Sequence, residues 1–173
     1  TFGDTGIAGL TLGGGLGFLM GSFGLTCDNL IGAQVVTAAG ETLEVNDRNH
    51  DDLFWALRGG GGNFGVVTRF DYRLHPIGTL LGGRLVYDGA HAEEVLRIFR
   101  DLLSEAPDAL TLQAVVRREG AVAVFPCWNG PVEEGERYLS PLRAIRTVED
   151  SVTPITYDQM QRTFTKMPFG LRH

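Results

Sequence analysis

The chain has few cysteines, no long apolar run and little positive charge, and each shortage excludes a class of protein. Its two cysteines, Cys27 and Cys127, are too few for a disulfide framework and form no CxxC pair for zinc, so we expect both to be buried, reduced thiols. No apolar stretch approaches the roughly 18–20 residues that cross a bilayer, which argues against a membrane protein. The net charge of −6 argues against a nucleic-acid partner, which needs a basic face.

Several catalytic motifs are also missing. There is no Gly-Lys-Ser/Thr segment for a phosphate-binding Walker loop and no GxSxG turn for a serine hydrolase. The glycines at 15, 17 and 21 are spaced GxGxxxG, unlike the dinucleotide fingerprint, and we expect a hairpin rather than a βαβ crossover to follow them. A nicotinamide-dependent dehydrogenase is therefore disfavoured. No metal site is predicted, because the histidines are isolated and each is expected to be a surface or hydrogen-bonded residue: His50, His75, His91 and His173.

Glycine is abundant instead, and it is concentrated in the first half of the chain. Of the 24 glycines, 20 lie at or before Gly89, so we place a boundary near 76–83 and expect two domains, 1–78 and 79–173. The segment 5–18, TGIAGLTLGGGLGF, spaces glycines through a mostly apolar run, and a second cluster at 59–62 with Gly65 precedes a strand. Because glycine has no Cβ, such a backbone can approach a ligand closely. Two clusters indicate two backbone surfaces facing one cofactor, although close packing of backbone on backbone would also need glycine.

The periodicity of the remaining residues predicts an α+β protein. In the first half we expect a hairpin of strands 33–38 and 42–46 about Ala39 and Gly40, a helix over 50–58 and a strand within 63–74. In the second half we expect strand 79–87, helix 90–104, strands 110–118 and 121–128, helix 133–144, strand 147–155 and helix 157–164. The order β-α-β-β-α-β is that of a ferredoxin-like fold, in which helices cover one face of an antiparallel sheet.

Three segments resemble one protein family, in the order that the family has them. They are TGIAGLTLGGGLGFL, GLTCDNLIGAQVVTAAGE and DLFWALRGGGGNFGVVTRFDYRLHP, which together span residues 5–76. They are similar to the second half of the flavin domain of berberine bridge enzyme-like oxidoreductases, in the vanillyl-alcohol oxidase or PCMH-type FAD-binding superfamily. The stretch 131–145, PVEEGERYLSPLRAI, is similar to the start of that family's substrate domain. The resemblance implies the C-terminal half of a PCMH-type FAD-binding domain followed by the beginning of an antiparallel, ferredoxin-like substrate domain, within a longer protein.

The resemblance implies FAD as the cofactor and points to the residues that hold it. The positions that match the family's first glycine loop, along the pyrophosphate, ribityl chain and flavin ring, are Thr5, Gly6, Gly9, Leu10, Gly13, Gly14 and Gly15. The main chain of Val66 or Val67 matches the partner of the adenine amine. Phe2 stands where bicovalent members attach the flavin through cysteine, and Leu10 where some members have a histidine beside the flavin. We therefore expect no cysteinyl attachment; the histidyl attachment loop belongs to a subdomain absent from this chain.

By this resemblance the chain is predicted to be part of an FAD-dependent oxidoreductase, an oxidase or a dehydrogenase. In the family, flavin N5 takes a hydride from a substrate C–H bond, a base takes the hydroxyl or amine proton, and oxygen or another acceptor reoxidises the flavin. The family's base lies beyond His173, so no catalytic residue is named, and Tyr157 is only a candidate for lining the pocket.

One alternative is a non-catalytic fragment that self-associates, because half of a flavin domain would expose strand edges and apolar loops. For the enzyme we expect a small organic substrate of the alcohol, sugar or amine type, with no nucleic acid or membrane as partner. Assembly as a homo-oligomer is left open. The reduced thiols favour a cytoplasmic location.

Overall fold

A computed structural model of the chain describes residues 3 and 5–163. These residues form two compact units, and the chain passes from the first to the second between Pro76 and Ile77. Among the described residues, every helix is too short or too polar to traverse a lipid bilayer. The two units are built differently and are taken in turn.

The N-terminal unit combines short helices with three strands. Its helices are α1 (Ile7–Leu12), α2 (Met20–Phe23) and α3 (Asp51–Leu57), its strands are β1 (Leu30–Val36), β2 (Thr42–Val45) and β3 (Val66–Tyr72), and single 3-10 turns span Thr26–Asn29 and Gly61–Phe64. The helix predicted over 50–58 and the strand predicted within 63–74 are confirmed. Residues 7–12 differ from the prediction, because this part of the glycine segment forms a helix rather than a loop.

The N-terminal sheet is antiparallel in the order β2-β1-β3. The predicted hairpin is confirmed, since the Thr37 N–H donates to the Glu41 carbonyl at 2.9 Å and Gly40 takes a left-handed φ of +80° in the turn. β1 begins at Leu30 rather than at 33, because Leu30 lies opposite Tyr72 of the distant strand β3. A hairpin pattern read along the sequence contains no information about that third strand.

One face of this sheet packs on α3 and the other carries polar side chains. The buried cluster consists of Leu30, Ala33, Val35 and Val45 from the sheet with Phe54 and Leu57 from α3. On the opposite face the Arg69 guanidinium pairs with Glu44 at 2.6 Å, and the Gln34 amide donates to the same carboxylate at 2.8 Å. The alternation along β1 therefore separates an apolar face from a solvent-exposed polar ladder.

Among the described residues, the C-terminal unit contains six strands, three α-helices and one 3-10 turn, Gly89–His91. The strands are β4 (Leu80–Gly82), β5 (Leu85–Tyr87), β6 (Leu110–Val116), β7 (Val122–Trp128), β8 (Glu149–Asp150) and β9 (Thr153–Ile155), and the helices are α4 (Ala92–Glu105), α5 (Val132–Arg143) and α6 (Tyr157–Gln161). The helix predicted over 157–164 thus ends at Gln161, and Phe164 lies outside the described residues.

Two strands that were predicted as continuous are each interrupted, but their pairing is not. β4 and β5 both pair with β7 in one register, with Leu81 opposite Trp128 and Leu85 opposite Val124. At the interruption Gly83 passes so close to the facing strand that an added Cβ would lie 2.4 Å from the Ser151 carbonyl oxygen. The Ser151 N–H donates to the Arg84 carbonyl at 2.9 Å, which closes the gap.

The sheet therefore has the connectivity of the predicted ferredoxin-like fold. Taking β4 with β5 and β8 with β9 as two interrupted strands, the order is β8/β9, β4/β5, β7, β6, and every pair is antiparallel. This is the fourth, first, third and second strand of a β-α-β-β-α-β chain, so the predicted α+β fold class is confirmed.

Helices α4 and α5, the two helices of the β-α-β-β-α-β succession, cover one face of this sheet as predicted, and α6, which follows that succession, covers the other. Helices α4 and α5 bury Val95, Leu139 and Leu142 against the face that carries Leu81 and Trp128. Met160 of α6 is fully buried on the opposite face, where its sulfur would lie 2.8 Å from a Cβ added to Gly82. All seven residues of β7 are buried, so both faces of the sheet need cover.

Candidate functional site

The first part of the glycine segment is open to its surroundings. Residues 5–9 are all exposed, and they enter and begin α1. A Cβ added at Gly6, Gly9 or Gly17 would meet no atom within 4 Å. These three glycines are therefore not required by packing within the described residues, and the backbone of Gly6 and Gly9 is accessible to a large ligand.

The second part of the same segment is held from behind by the chain itself. Gly14 and Gly15 have left-handed φ values of +100° and +90°. Their carbonyls accept hydrogen bonds from the Cys27 and Thr26 N–H groups, each at 2.9 Å. A Cβ on Gly15 would lie 2.5 Å from Thr26 Oγ1, so close packing of chain on chain accounts for that glycine. Open space for a ligand is therefore the explanation for Gly6 and Gly9, whereas close packing of backbone on backbone is the explanation for Gly15.

The second glycine cluster lies beside the first. Helix α1 contacts the 3-10 turn Gly61–Phe64, so the structure brings together the two clusters that were predicted to face one ligand. Gly65 has a packing reason of its own, because its added Cβ would lie 2.5 Å from the Val36 carbonyl oxygen. Gly62, by contrast, has open space around it.

Two residues outside the predicted set fix α1 to the sheet. Thr11 is fully buried, donates from its hydroxyl to the Ile7 carbonyl at 2.7 Å, and shares a 2.6 Å hydrogen bond with the hydroxyl of Tyr72 in β3. The spacing of Ile7 and Thr11, four residues apart, is compatible with one helical turn, and this was the signal for α1 in the sequence. Because Thr11 faces inward, the opposite side of α1 is the exposed one.

The remaining predicted positions, Leu10 and Gly13, lie within and at the end of α1. Leu10 is half-buried, and its Cγ lies 3.1 Å from where a Cβ on Gly15 would be, so its side chain folds over the glycine run. Gly13 follows the last residue of α1 as its C-cap, and its N–H donates to the Gly9 carbonyl at 3.2 Å. Phe2, the position that decides cysteinyl attachment, lies outside the described residues.

Val66 and Val67 begin the strand at one edge of the N-terminal sheet. Val66 lies opposite Val36 and is 68% exposed, whereas Val67 lies opposite Val35 and packs against the buried cluster. Within the described part of the chain, β1 is the one strand that pairs with β3. One edge of this backbone is therefore open.

Most of the cysteines and histidines considered in the sequence are buried or have a hydrogen-bond partner. Both cysteines are free and buried as predicted, and burial raises the pKa of Cys27 and raises that of Cys127 to about 12. His75 Nε2 lies 2.6 Å from Asn29 Oδ1, and His91 Nδ1 lies 2.8 Å from Asp88. His50 takes a left-handed φ of +54° at the N-cap of α3, and His173 lies outside the described residues.

Tyr157, the candidate pocket-lining residue, is the first residue of α6. Its side chain is half-buried, and burial raises the pKa of its phenol. The helix is held in place by a capping box, in which the Gln159 N–H donates to Thr156 Oγ1 at 3.3 Å and the Thr156 N–H donates to Gln159 Oε1 at 2.8 Å. Over residues 3 and 5–163, no three His, Cys, Asp or Glu side chains lie together as metal ligands.

Comparison by sequence and comparison by structure find proteins of the same kind. No family model matches the chain. A FAD-linked oxidoreductase from Dictyostelium discoideum is 38% identical over 173 residues, which is 98% of this chain and 38% of that protein. The structure of 6-hydroxy-D-nicotine oxidase from Arthrobacter nicotinovorans superposes with a TM-score of 0.79 at 34% identity, over 92% of this chain and 37% of that one.

A chitooligosaccharide oxidase superposes with a TM-score of 0.82 at 26% identity, over 99% of this chain and 37% of that one. The chain thus spans less than two fifths of the length of the proteins it matches. By sequence and by fold, the chain is similar to one part of FAD-linked oxidoreductases, and its structural neighbours include a berberine bridge enzyme-like protein from Physcomitrella patens.

Proposed function

We propose that this chain provides FAD-binding glycine surfaces and the beginning of a substrate domain in an FAD-dependent oxidoreductase that oxidises a small organic molecule. The observation that carries the proposal is the open backbone at Gly6 and Gly9, next to a second glycine cluster. The names of two similar proteins, a nicotine oxidase and a chitooligosaccharide oxidase, support an amine, alcohol or sugar as the substrate.

The residues of the N-terminal unit fit a ligand that is long, flat in one part and doubly phosphorylated in another. A main chain without Cβ atoms can lie against a ring or donate N–H groups to phosphate oxygens without a specific side chain. Thr5, Gly6, Gly9 and Gly13 are exposed positions of this kind, and the half-buried Gly14 and Gly15 follow them. The edge of β3 at Val66 and Val67 provides main-chain groups suited to an adenine edge.

When bound, FAD supplies the electron chemistry, taking a hydride from a substrate C–H bond at N5 and passing electrons to oxygen or another acceptor. The role of this chain is to bind and orient that group. Its described thiols are poor candidates for proton transfer, because burial raises their pKa values. The Tyr87 hydroxyl is committed to the Leu142 carbonyl at 3.1 Å inside the core. We therefore assign proton abstraction to no described residue.

In the C-terminal unit we propose Tyr157 as a residue that lines the substrate pocket. It lies on α6, which packs on the face of the sheet opposite α4 and α5, and its side chain is partly accessible. A half-exposed tyrosine offers an apolar ring for contact and a hydroxyl for a hydrogen bond.

The test is purification of the full-length protein followed by visible absorbance and release of flavin on denaturation. We expect bound FAD that is bleached anaerobically by a member of an amine, alcohol and oligosaccharide panel and recovers its colour in air or with an artificial acceptor. Flavin that stays with the denatured protein would identify covalent attachment. A folded protein that takes up no FAD after reconstitution would contradict the proposal.

A self-associating role is the second candidate, and two exposed apolar side chains favour it. Trp55 of α3 is 74% exposed, and the edge strand β3 presents Val66. Analytical ultracentrifugation of the 18.8 kDa chain separates the candidates. A dimer without flavin affinity would favour this role, whereas a monomer that retains FAD would exclude it.

A further inference from the structure

Behind the glycine run lies a hydrogen-bonded network centred on Asn29. The side-chain Nδ2 of Asn29 donates to the carbonyls of Phe23 at 2.9 Å and Leu25 at 3.0 Å. Its Oδ1 lies 2.6 Å from Nε2 of His75. The Asn29 carbonyl also accepts from the Arg73 N–H at 2.8 Å, immediately after β3. One residue thus joins the turn after α2 to the segment that leaves the sheet.

The hydrogen-bond partners of Asn29 determine which of the two atoms is the donor in the contact between His75 and Asn29. Both hydrogens of Asn29 Nδ2 are used by backbone carbonyls, so the amide oxygen is the atom left to face the imidazole, and it can only accept. His75 Nε2 therefore carries the hydrogen. The same ring stacks on Phe23 with a centroid distance of 4.1 Å, so His75 holds Asn29 and one of the residues that Asn29 binds.

From Asn29 the network leads to the glycine backbone in two steps. The Leu25 N–H donates to Asp28 Oδ2 at 2.8 Å, which fixes the short turn Thr26–Asn29. Within that turn Thr26 and Cys27 donate their N–H groups to the carbonyls of Gly15 and Gly14. The Thr26 hydroxyl donates a second hydrogen bond to the Gly15 carbonyl, at 3.2 Å, which makes three bonds from this turn to the two glycines.

We propose that Asn29 and His75 are positioning residues for the cofactor site, which hold the main chain of Gly14 and Gly15 in the conformation that receives FAD. This inference rests on the proposed function. Both glycines have left-handed φ values, and glycine released from its contacts has many other conformations available. Asn29 and His75 are half-buried and lie outside the apolar cluster of the N-terminal unit. Breaking the network should therefore loosen the glycine run more than the core.

The experiment compares Asn29→Asp with the matched control Asn49→Asp in the full-length protein. Asn49 also donates from Nδ2 to a backbone carbonyl, that of Glu44, but it lies in the loop before α3. Four quantities are measured: flavin content after reconstitution, FAD affinity, the visible circular dichroism of bound flavin, and urea unfolding of the apoprotein. If the flavin is covalent, its reduction potential is measured in place of the affinity. Asn29→Asp removes two donors, so we expect at least a tenfold loss of FAD affinity and an altered dichroism spectrum. Asn49→Asp should leave both flavin properties unchanged.

A second pair of variants covers the case in which Asn29→Asp does not fold. His75→Phe keeps an aromatic ring on Phe23 and removes the donor, so we expect a two- to tenfold loss of FAD affinity. His75→Gln restores an N–H donor and should recover most of that loss.

The outcomes separate this inference from the proposed function. A wild-type protein that binds no FAD contradicts the proposed function itself. A wild-type protein that binds FAD, with Asn29→Asp and His75→Phe identical to it in flavin affinity and dichroism, overturns the positioning role alone. Equal flavin losses in Asn29→Asp and Asn49→Asp would also overturn it, because the effect would then be general destabilisation.

Discussion

Replacement of Gly9 by alanine should have opposite effects on the apoprotein and on the complex with FAD. Gly9 is an exposed residue inside α1, and its added Cβ would meet nothing within 4 Å. Alanine in place of glycine stabilises a helix interior by roughly 0.5–1 kcal/mol. Because α1 has six residues, the lower end of that range is expected, about 0.5 kcal/mol in the free energy of unfolding.

The same methyl group would stand between the backbone and a closely bound cofactor. Forcing an extra methyl into a packed contact costs about 1–3 kcal/mol, which corresponds to a roughly 5- to 150-fold loss of affinity. At a FAD concentration of a hundred times the wild-type Kd, the ligand adds about 2.7 kcal/mol to stability, and a twentyfold weaker Kd would reduce this to about 1 kcal/mol.

Urea unfolding of the full-length protein, with and without added FAD, measures both effects on one sample. An apoprotein destabilised by more than about 1 kcal/mol would contradict the open space around Gly9. An unchanged FAD-dependent stabilisation would show that Gly9 does not face the cofactor, and the assignment of the glycine segment would then be wrong at this position.

Three further changes test the packing. Gly65→Ala should destabilise the apoprotein by about 1–3 kcal/mol in urea unfolding, because the residue has a left-handed φ of +146° and its Cβ would overlap the Val36 carbonyl; a neutral change would refute that contact. Thr11→Val should cost about 1–2 kcal/mol by leaving the Tyr72 hydroxyl without its 2.6 Å partner, and a double-mutant cycle with Tyr72→Phe should show the coupling. Cys127 should resist thiol reagents until the protein unfolds, and stability should fall as pH rises from 9 towards 12, since the unfolded thiol ionises near its ordinary pKa of 9.0 while the folded one stays neutral up to about 12. Cys127→Ala should reduce this alkaline dependence and leave the part that comes from the raised pKa values of Cys27 and Tyr157; an unchanged pH profile would contradict the assignment to Cys127.

The elements with local causes were predicted correctly. The turn at Ala39 and Gly40 and the helix that begins at Asp51 depend on residues within a few positions of each other, so the sequence contains their full signal. The ferredoxin-like order of the C-terminal unit followed from the succession of strands and helices. The side of the sheet that α6 covers did not follow from that succession, because Met160 is buried against Gly82 of β4, which is distant in the chain.

The resemblance to FAD-linked oxidoreductases came from the sequence alone, because WALRGGGG and LTLGGG are contiguous motifs that can be recognised without the fold. The tertiary structure decided which glycines are free for a ligand. Gly9 and Gly15 look alike in the sequence, but only Gly15 is pressed against Thr26. The link from His75 through Asn29 to the glycine run was likewise absent from any local pattern, since it joins side chains that only the folded sheet brings within hydrogen-bonding distance.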